Sequence, residues 1–82
     1  MHEVLIESRA ERELRKLPPP DFHPIIAAIQ ELAKVPRPPG CRKIVGSQND
    51  WRIRTGKYRI IYEINDRDQT IRIMTVRHRR EA

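Results

Sequence analysis

The sequence predicts a single α+β domain over residues 1–82, with two N-terminal helices packed on one face of a mainly antiparallel β-sheet, in the order β-α-α-β-β-β-β. Three observations carry that expectation. Apolar residues recur at helical spacing only in the first half of the chain, while β-branched and aromatic runs fill the second half. Eighty-two residues also leave room for one hydrophobic core. A chain this short buries only roughly 60–65% of its unfolded surface, so its own stability is expected to be modest.

The elements follow in order. Val4-Leu5-Ile6 is a short β-branched run, expected as a first strand. Ser8-Arg9-Ala10-Glu11 matches a capping box, in which the Ser and Glu side chains satisfy two orphaned backbone donors. Ala10, Leu14 and Leu17 then form one apolar stripe, and Pro18-Pro19-Pro20 stops the helix. Asp21 is the expected N-cap of a second helix, with Pro24 in its first turn. Phe22, Ile25, Ile26, Ile29, Leu32 and Ala33 give that helix a stripe that needs covering, which is core material and not a cofactor site. Pro36, Pro38, Pro39 and Gly40 end it. Ile44-Val45 is a weak strand, followed by Trp51 to Thr55, Tyr58 to Ile64 and Thr70 to Val76. Asn65 to Asp68 is a turn between the last two.

Gly56-Lys57 suits a two-residue type II′ hairpin loop, because its first central position needs positive φ. That loop pairs Thr55 with Tyr58, Arg54 with Arg59, Ile53 with Ile60, Arg52 with Ile61 and Trp51 with Tyr62. Side chains alternate by face. Trp51, Ile53, Tyr58, Ile60, Tyr62 and Ile64 therefore share the face expected to meet the helices, and Arg52, Arg54 and Arg59 share the other with Ile61 and Glu63. Like charges directly opposite each other destabilise a strand pair by up to ~1 kcal/mol. Arg54 facing Arg59 thus contradicts a choice made for stability. Either Glu63 and other acids neutralise the cluster, or an external anion does; a merely solvated outer face is the plainer alternative. The last strand leaves its faces open, because Ile71/Ile73 and Met74/Val76 are apolar on both.

Seventeen Lys+Arg against eleven Asp+Glu give a formal charge of +6, which favours a polyanionic partner. Many small soluble proteins are basic without such a role. Cys41 is alone, with no metal-ligand spacing around it, so a reducing cytoplasm is the expected location. The N-terminal residues lack the apolar core of a signal peptide, and Ile25 to Ile29 is too short a run to span a bilayer, so no membrane partner is expected. No residue pattern predicts a metal or an organic cofactor.

The segment from Trp51 to Ile64 resembles the W-R-I-R-x-G-x-Y-R-x-x-Y hairpin of the RelE/ParE toxin superfamily, and Val76-Arg77-His78-Arg79-Arg80-Glu81 is similar to that family's V-x-H-R-x-E-x-Y ending. With the strand–helix–helix opening, the likeness covers essentially the whole chain. It implies a toxin of a type II toxin–antitoxin system, silenced by a cognate antitoxin in a possible hetero-oligomer. In the RelE branch it implies entry into the ribosomal A site and cleavage of mRNA by the RNA's own 2′-hydroxyl. The branch's basic active-site residues fall on Arg52, Arg54, Arg59 and Arg79. Two departures stand out: some RelE-type enzymes carry lysines at the positions of Arg52 and Arg54, and the sequence reaches Ala82 without the pattern's tyrosine.

Such cleavage needs a proton taken from the 2′-hydroxyl, charge stabilised on the phosphorane, and a proton given to the leaving 5′-oxygen. Arginines suit the second task; guanidinium does not deprotonate and makes a poor base. His78 is the expected proton-transfer group, because an unperturbed imidazole titrates near neutrality, although a histidine near a terminus is commonly an ordinary surface residue. Arg42, Lys43, Lys57, Arg77 and Arg80 are the further candidates for RNA contact. Two other functions fit the sequence: a ParE-like inhibitor that poisons DNA gyrase by binding, and a nucleic-acid-binding module without activity. The antitoxin is expected to offer an acidic or amphipathic helix or strand.

Overall fold

The computed structural model describes residues 1–81. Strand β1 is Glu3–Ile6, helix α1 Ser8–Arg15, helix α2 Pro19–Lys34, and strands β2 to β5 are Arg42–Lys43, Asp50–Thr55, Tyr58–Asn65 and Thr70–His78, followed by a 3₁₀ turn over Arg79–Glu81. The five strands form one sheet in the order β1-β5-β4-β3-β2. β1 runs parallel to β5 and every other pairing is antiparallel. The expected two-helix, mainly antiparallel architecture is therefore present. No helix is long and apolar enough to cross a membrane.

Several local expectations are corrected. The capping box at Ser8 does not form: Glu7 is the N-cap, without a side-chain cap bond, and Glu11 instead pairs with Arg15 one turn on. α2 starts at Pro19, not after Asp21. Pro18 keeps the extended backbone that a following proline imposes, and Pro19 takes the first helical position, where its missing N–H is no loss. Asp21 is thereby moved into the first turn, and Pro24 lies inside the helix. Asp21 accepts a hydrogen bond from the Tyr58 hydroxyl at 2.8 Å. The weak strand expected at Ile44-Val45 falls instead on Arg42–Lys43. The Ile44 N–H still donates to the Asp50 carbonyl in the same register, but Val45 is 99% exposed and Gly46 at φ +87° carries the chain away from the ladder.

The core lies between the helices and one sheet face. Ala10 and Leu14 from α1, and Ile25, Ile29 and Leu32 from α2, cover Ile53, Ile60, Tyr62, Ile64, Ile71, Ile73 and Val76. Tyr62 is fully buried, and its hydroxyl donates to the Pro36 carbonyl at 2.7 Å. Burial pushes that phenol well above its ordinary value, so it stays protonated.

The hairpin adopts the expected register, including Arg54 opposite Arg59. Gly56 has φ +59° while Lys57 keeps negative φ, which is the type II′ arrangement. The open question about β5 is answered by a bulge. Ile61 pairs with Thr75 but Tyr62 pairs with Ile73, so Met74 is an extra residue. The added residue switches the alternation: Ile71, Ile73 and Val76 all reach the core, and Thr75 and Arg77 turn to the outer face. The bulge is what places Arg77 beside the hairpin arginines.

Candidate functional site

Two ladder rows cross the outer face. In one, Arg54 of β3 pairs with Arg59 of β4, which pairs with Arg77 of β5. In the next, Arg42 of β2 pairs with Arg52, which pairs with Ile61 and then Thr75. Cross-strand neighbours stand about 5 Å apart at Cβ, so five guanidinium groups start from adjacent points of one surface. Desolvation first, and then the neighbouring charges of Arg59, Arg54 and Arg42, hold the Arg52 guanidinium below its ordinary value.

Internal acids do not neutralise these rows. Glu63, the acid expected to share the face, contacts Arg72 at 3.6 Å, and Glu7 contacts Arg72 at 3.0 Å. Among the described residues, no ion pair within 4.0 Å joins Arg42, Arg52, Arg54 or Arg59 to a carboxylate. Arg77 reaches Glu13 at a long 3.7 Å. The Nε atoms of Arg59 and Arg77 are buried and lack a hydrogen-bond partner. Beside the rows, Arg42, Arg52 and Arg54 line a depression of about 390 Å³ with Pro39, Gly40 and Ile53.

The other candidates are placed apart. His78 pairs with Tyr58 on the helix side of the sheet, with the two rings edge to face at 5.5 Å. It lines a cleft of about 400 Å³ with Glu13, Lys16, Leu17, Pro18, Tyr58 and Val76. Its Nδ1 accepts the Arg80 backbone N–H at 3.1 Å. The sheet thus stands between His78 and the arginine rows, against the expectation that it serves them. Lys43 pairs with Trp51, a residue of the helix-side face. Lys57 is exposed in the hairpin turn, where its carbonyl accepts the Arg79 N–H at 2.8 Å. That bond ties the 3₁₀ turn to the hairpin tip, and Arg79 and Arg80 there are exposed.

Sequence reasoning missed Glu13 and Arg9 of α1. Glu13 Oε1 accepts the Thr75 hydroxyl at 2.7 Å and the Val76 N–H at 2.9 Å. β1 covers β5 only as far as Ile73, and Glu13 takes up a backbone donor beyond that point. The only trace in the sequence was the i, i+4 spacing of Arg9 and Glu13 off the apolar stripe.

Guanidinium groups crowded in this way are chemically suited to hold polyanions and to stabilise charge on a phosphoryl group, and are poor bases. A family model described as the ParE toxin of the type II toxin–antitoxin system parDE matches residues 4–82. The chain belongs to this toxin family. It is accordingly a toxin of a type II toxin–antitoxin system, within the RelE/ParE superfamily. Comparison with curated proteins gave no match. Among solved structures, the toxin is similar to a chain of the RelBE2 toxin–antitoxin complex of Mycobacterium tuberculosis, with 28% identity, TM-score 0.84, and 95% and 98% of the two chains covered. It is also similar to a chain of the archaeal RelE–RelB complex of Pyrococcus horikoshii, at 28% identity and TM-score 0.80, covering 99% and 98%. The isolated E. coli RelE toxin shares its fold, at 21% identity and TM-score 0.83, covering 95% and 84%.

Proposed function

We propose that this toxin cleaves mRNA on the ribosome, with Arg52, Arg54, Arg59 and Arg79 as its active-site cations. The observation that carries the proposal is the Arg54–Arg59–Arg77 row, three like charges in register across three strands with no close carboxylate on the first two. In the proposed step the 2′-oxygen bonds to phosphorus while the bond to the 5′-oxygen breaks. The guanidinium groups stabilise the added phosphorane charge, a contribution that mutation of comparable donors puts at about 10²–10³ in rate. Proton transfer is left to solvent or to the ribosome, since His78 lies across the sheet. The partners are the ribosome, mRNA and a cognate antitoxin, in keeping with the antitoxin-bound relatives. The place of action is the cytoplasm.

A gyrase-binding function is the second reading, favoured by the absence of a neutral-range base among the arginines and by the ParE description of the matching family. The two separate in parallel assays. Mapping transcript 5′ ends after reaction with translating ribosomes is expected to reveal cuts that Arg59→Ala abolishes. Inhibition of gyrase supercoiling with intact transcripts would replace the nuclease reading by the second one.

A further inference from the structure

We propose that the depression between α1 and β5 on the outer face holds a second RNA phosphate, neighbouring the one being cut, gripped by Arg77 with Arg9 at the rim and with Arg59 shared between the two phosphates. The inference rests on the RNA-cleaving function above and adds the path of the strand. The depression measures about 290 Å³ and is lined by Arg9, Arg59, Ile61, Thr75 and Arg77. Arg59 and Arg77 face each other across the β4–β5 ladder, and the Nε of each is buried without a hydrogen-bond partner. Donors on charged groups are costly to leave unmet in such a place, so this pair calls for an acceptor.

Glu13 does not fill that role. Its Oε1 is committed to Thr75 and Val76, and its Oε2 stays 3.8 Å from Arg9 Nε and 3.7 Å from Arg77 Nε, too long for hydrogen bonds. One carboxylate among three arginines leaves a surplus of two positive charges. A phosphodiester brings several acceptor oxygens around one tetrahedral centre and can meet donors of both guanidinium groups, while Ile61 gives the attached sugar or base an apolar floor. Strands stand about 4.8 Å apart, so the row from Arg54 to Arg77 spans roughly 10 Å. That span exceeds the oxygens of one phosphate and takes in two neighbouring phosphates of an extended strand. The RNA therefore crosses the sheet at right angles to its strands, from Arg54 toward α1.

The test is equilibrium binding of a fully 2′-O-methylated RNA hexamer, which cannot be cleaved, to the isolated toxin over a salt series. Loss of one phosphate contact in single-stranded binding lowers the slope of log K against log salt by about 0.7. Arg77→Ala is expected to bind about tenfold more weakly with that lowered slope, and Arg9→Ala to change both in the same direction by less. Glu13→Gln keeps an acceptor for Thr75 and Val76 while removing the competing charge, and is expected to bind the hexamer more tightly. Thermal melts confirm that each variant is folded, and Arg77→Gln, which removes the charge but keeps a long polar side chain, serves if Arg77→Ala is not. Unchanged affinity and slope in folded Arg77 and Arg9 variants, with binding lost in Arg54→Ala, would overturn the second subsite and leave the RNA function standing. Loss of antitoxin binding alone in the same variants assigns the depression to a protein partner and overturns it too. If the wild-type toxin binds no hexamer at any salt, the subsite falls, and the assay with translating ribosomes decides the RNA function by itself.

Discussion

The two faces of this one sheet are built by opposite rules. On the helix side, residues alternate into a space that the helices close, and Ile60, Tyr62, Ile71 and Ile73 are fully buried there. Each of those side chains is accounted for by packing. On the outer side the same strands put Arg54, Arg59 and Arg77 in one row, where folding gains nothing and repulsion opposes pairing. One face is thus explained by packing within the chain, and the other is not. Core residues and the outer-face arginines proposed to work for the toxin are interleaved one by one along β3 and β4, which makes the contrast open to single substitutions.

The sharpest test sets Ile60→Ala against Arg59→Ala, neighbours in sequence on opposite faces. Emptying the Ile60 site is expected to cost ~2–5 kcal/mol, lowering the melting temperature by about 10 °C or more in a domain of this size. Arg59→Ala is expected to leave chemical-denaturation stability unchanged or to raise it by up to ~1 kcal/mol, while growth arrest on induction is lost. A clear destabilisation by Arg59→Ala would mean that the arginine row is structural after all, and the contrast would collapse.

Next in size is Glu13, which belongs to both faces because it anchors β5 and borders the arginines. Glu13→Ala strands the part-buried Val76 N–H and is expected to cost ~1–3 kcal/mol, measurable by urea titration. Glu13→Gln retains an acceptor and should recover most of that loss. Equal losses in the two variants would show that its charge, not its hydrogen bonds, holds the strand.

His78→Ala sharpens the comparison from the helix side. With the imidazole beside Tyr58 and bonded to the Arg80 N–H, it is expected to leave ribosome-dependent cleavage within a few-fold of wild type. General acid–base catalysis is worth about 10²–10⁴, so a drop of that order in the cleavage assay would restore the proton-transfer role that the sequence suggested.

What was legible in the sequence depended on how local its cause was. The hairpin register and the placement of Arg52, Arg54 and Arg59 could be read because a two-residue loop with glycine in its first position fixes the pairing by itself. The location of Arg77 and His78 could not, since a single inserted residue at Met74 exchanges the faces of everything after it, and apolar residues on both sides conceal the exchange. Glu13 escaped notice because its partners lie more than sixty positions away. The start of α2 was misplaced for a smaller reason: three prolines read as a stop, yet the middle one is an excellent first helical residue.

The weakest effect concerns neither face but the rim where their connections meet. Asp66, in the turn after β4, takes the Arg37 guanidinium at 2.9 Å and the His2 ring at 3.1 Å, and Arg37 itself lies over the Trp51 ring at 5.1 Å. The Arg37 hydrogen bond, then the His2 one, hold the Asp66 carboxyl below its ordinary value. A carboxyl depressed on folding stabilises above its unfolded value and loses that contribution as pH falls through the folded one. Asp66→Asn is therefore expected to melt slightly below wild type near neutral pH, by no more than a few degrees, because the group is exposed and screened. The gap should close as the pH is taken down through the acid range. Melting curves at several pH values check this, and a gap that stays constant on acidification would show that Asp66 acts through shape and not through charge.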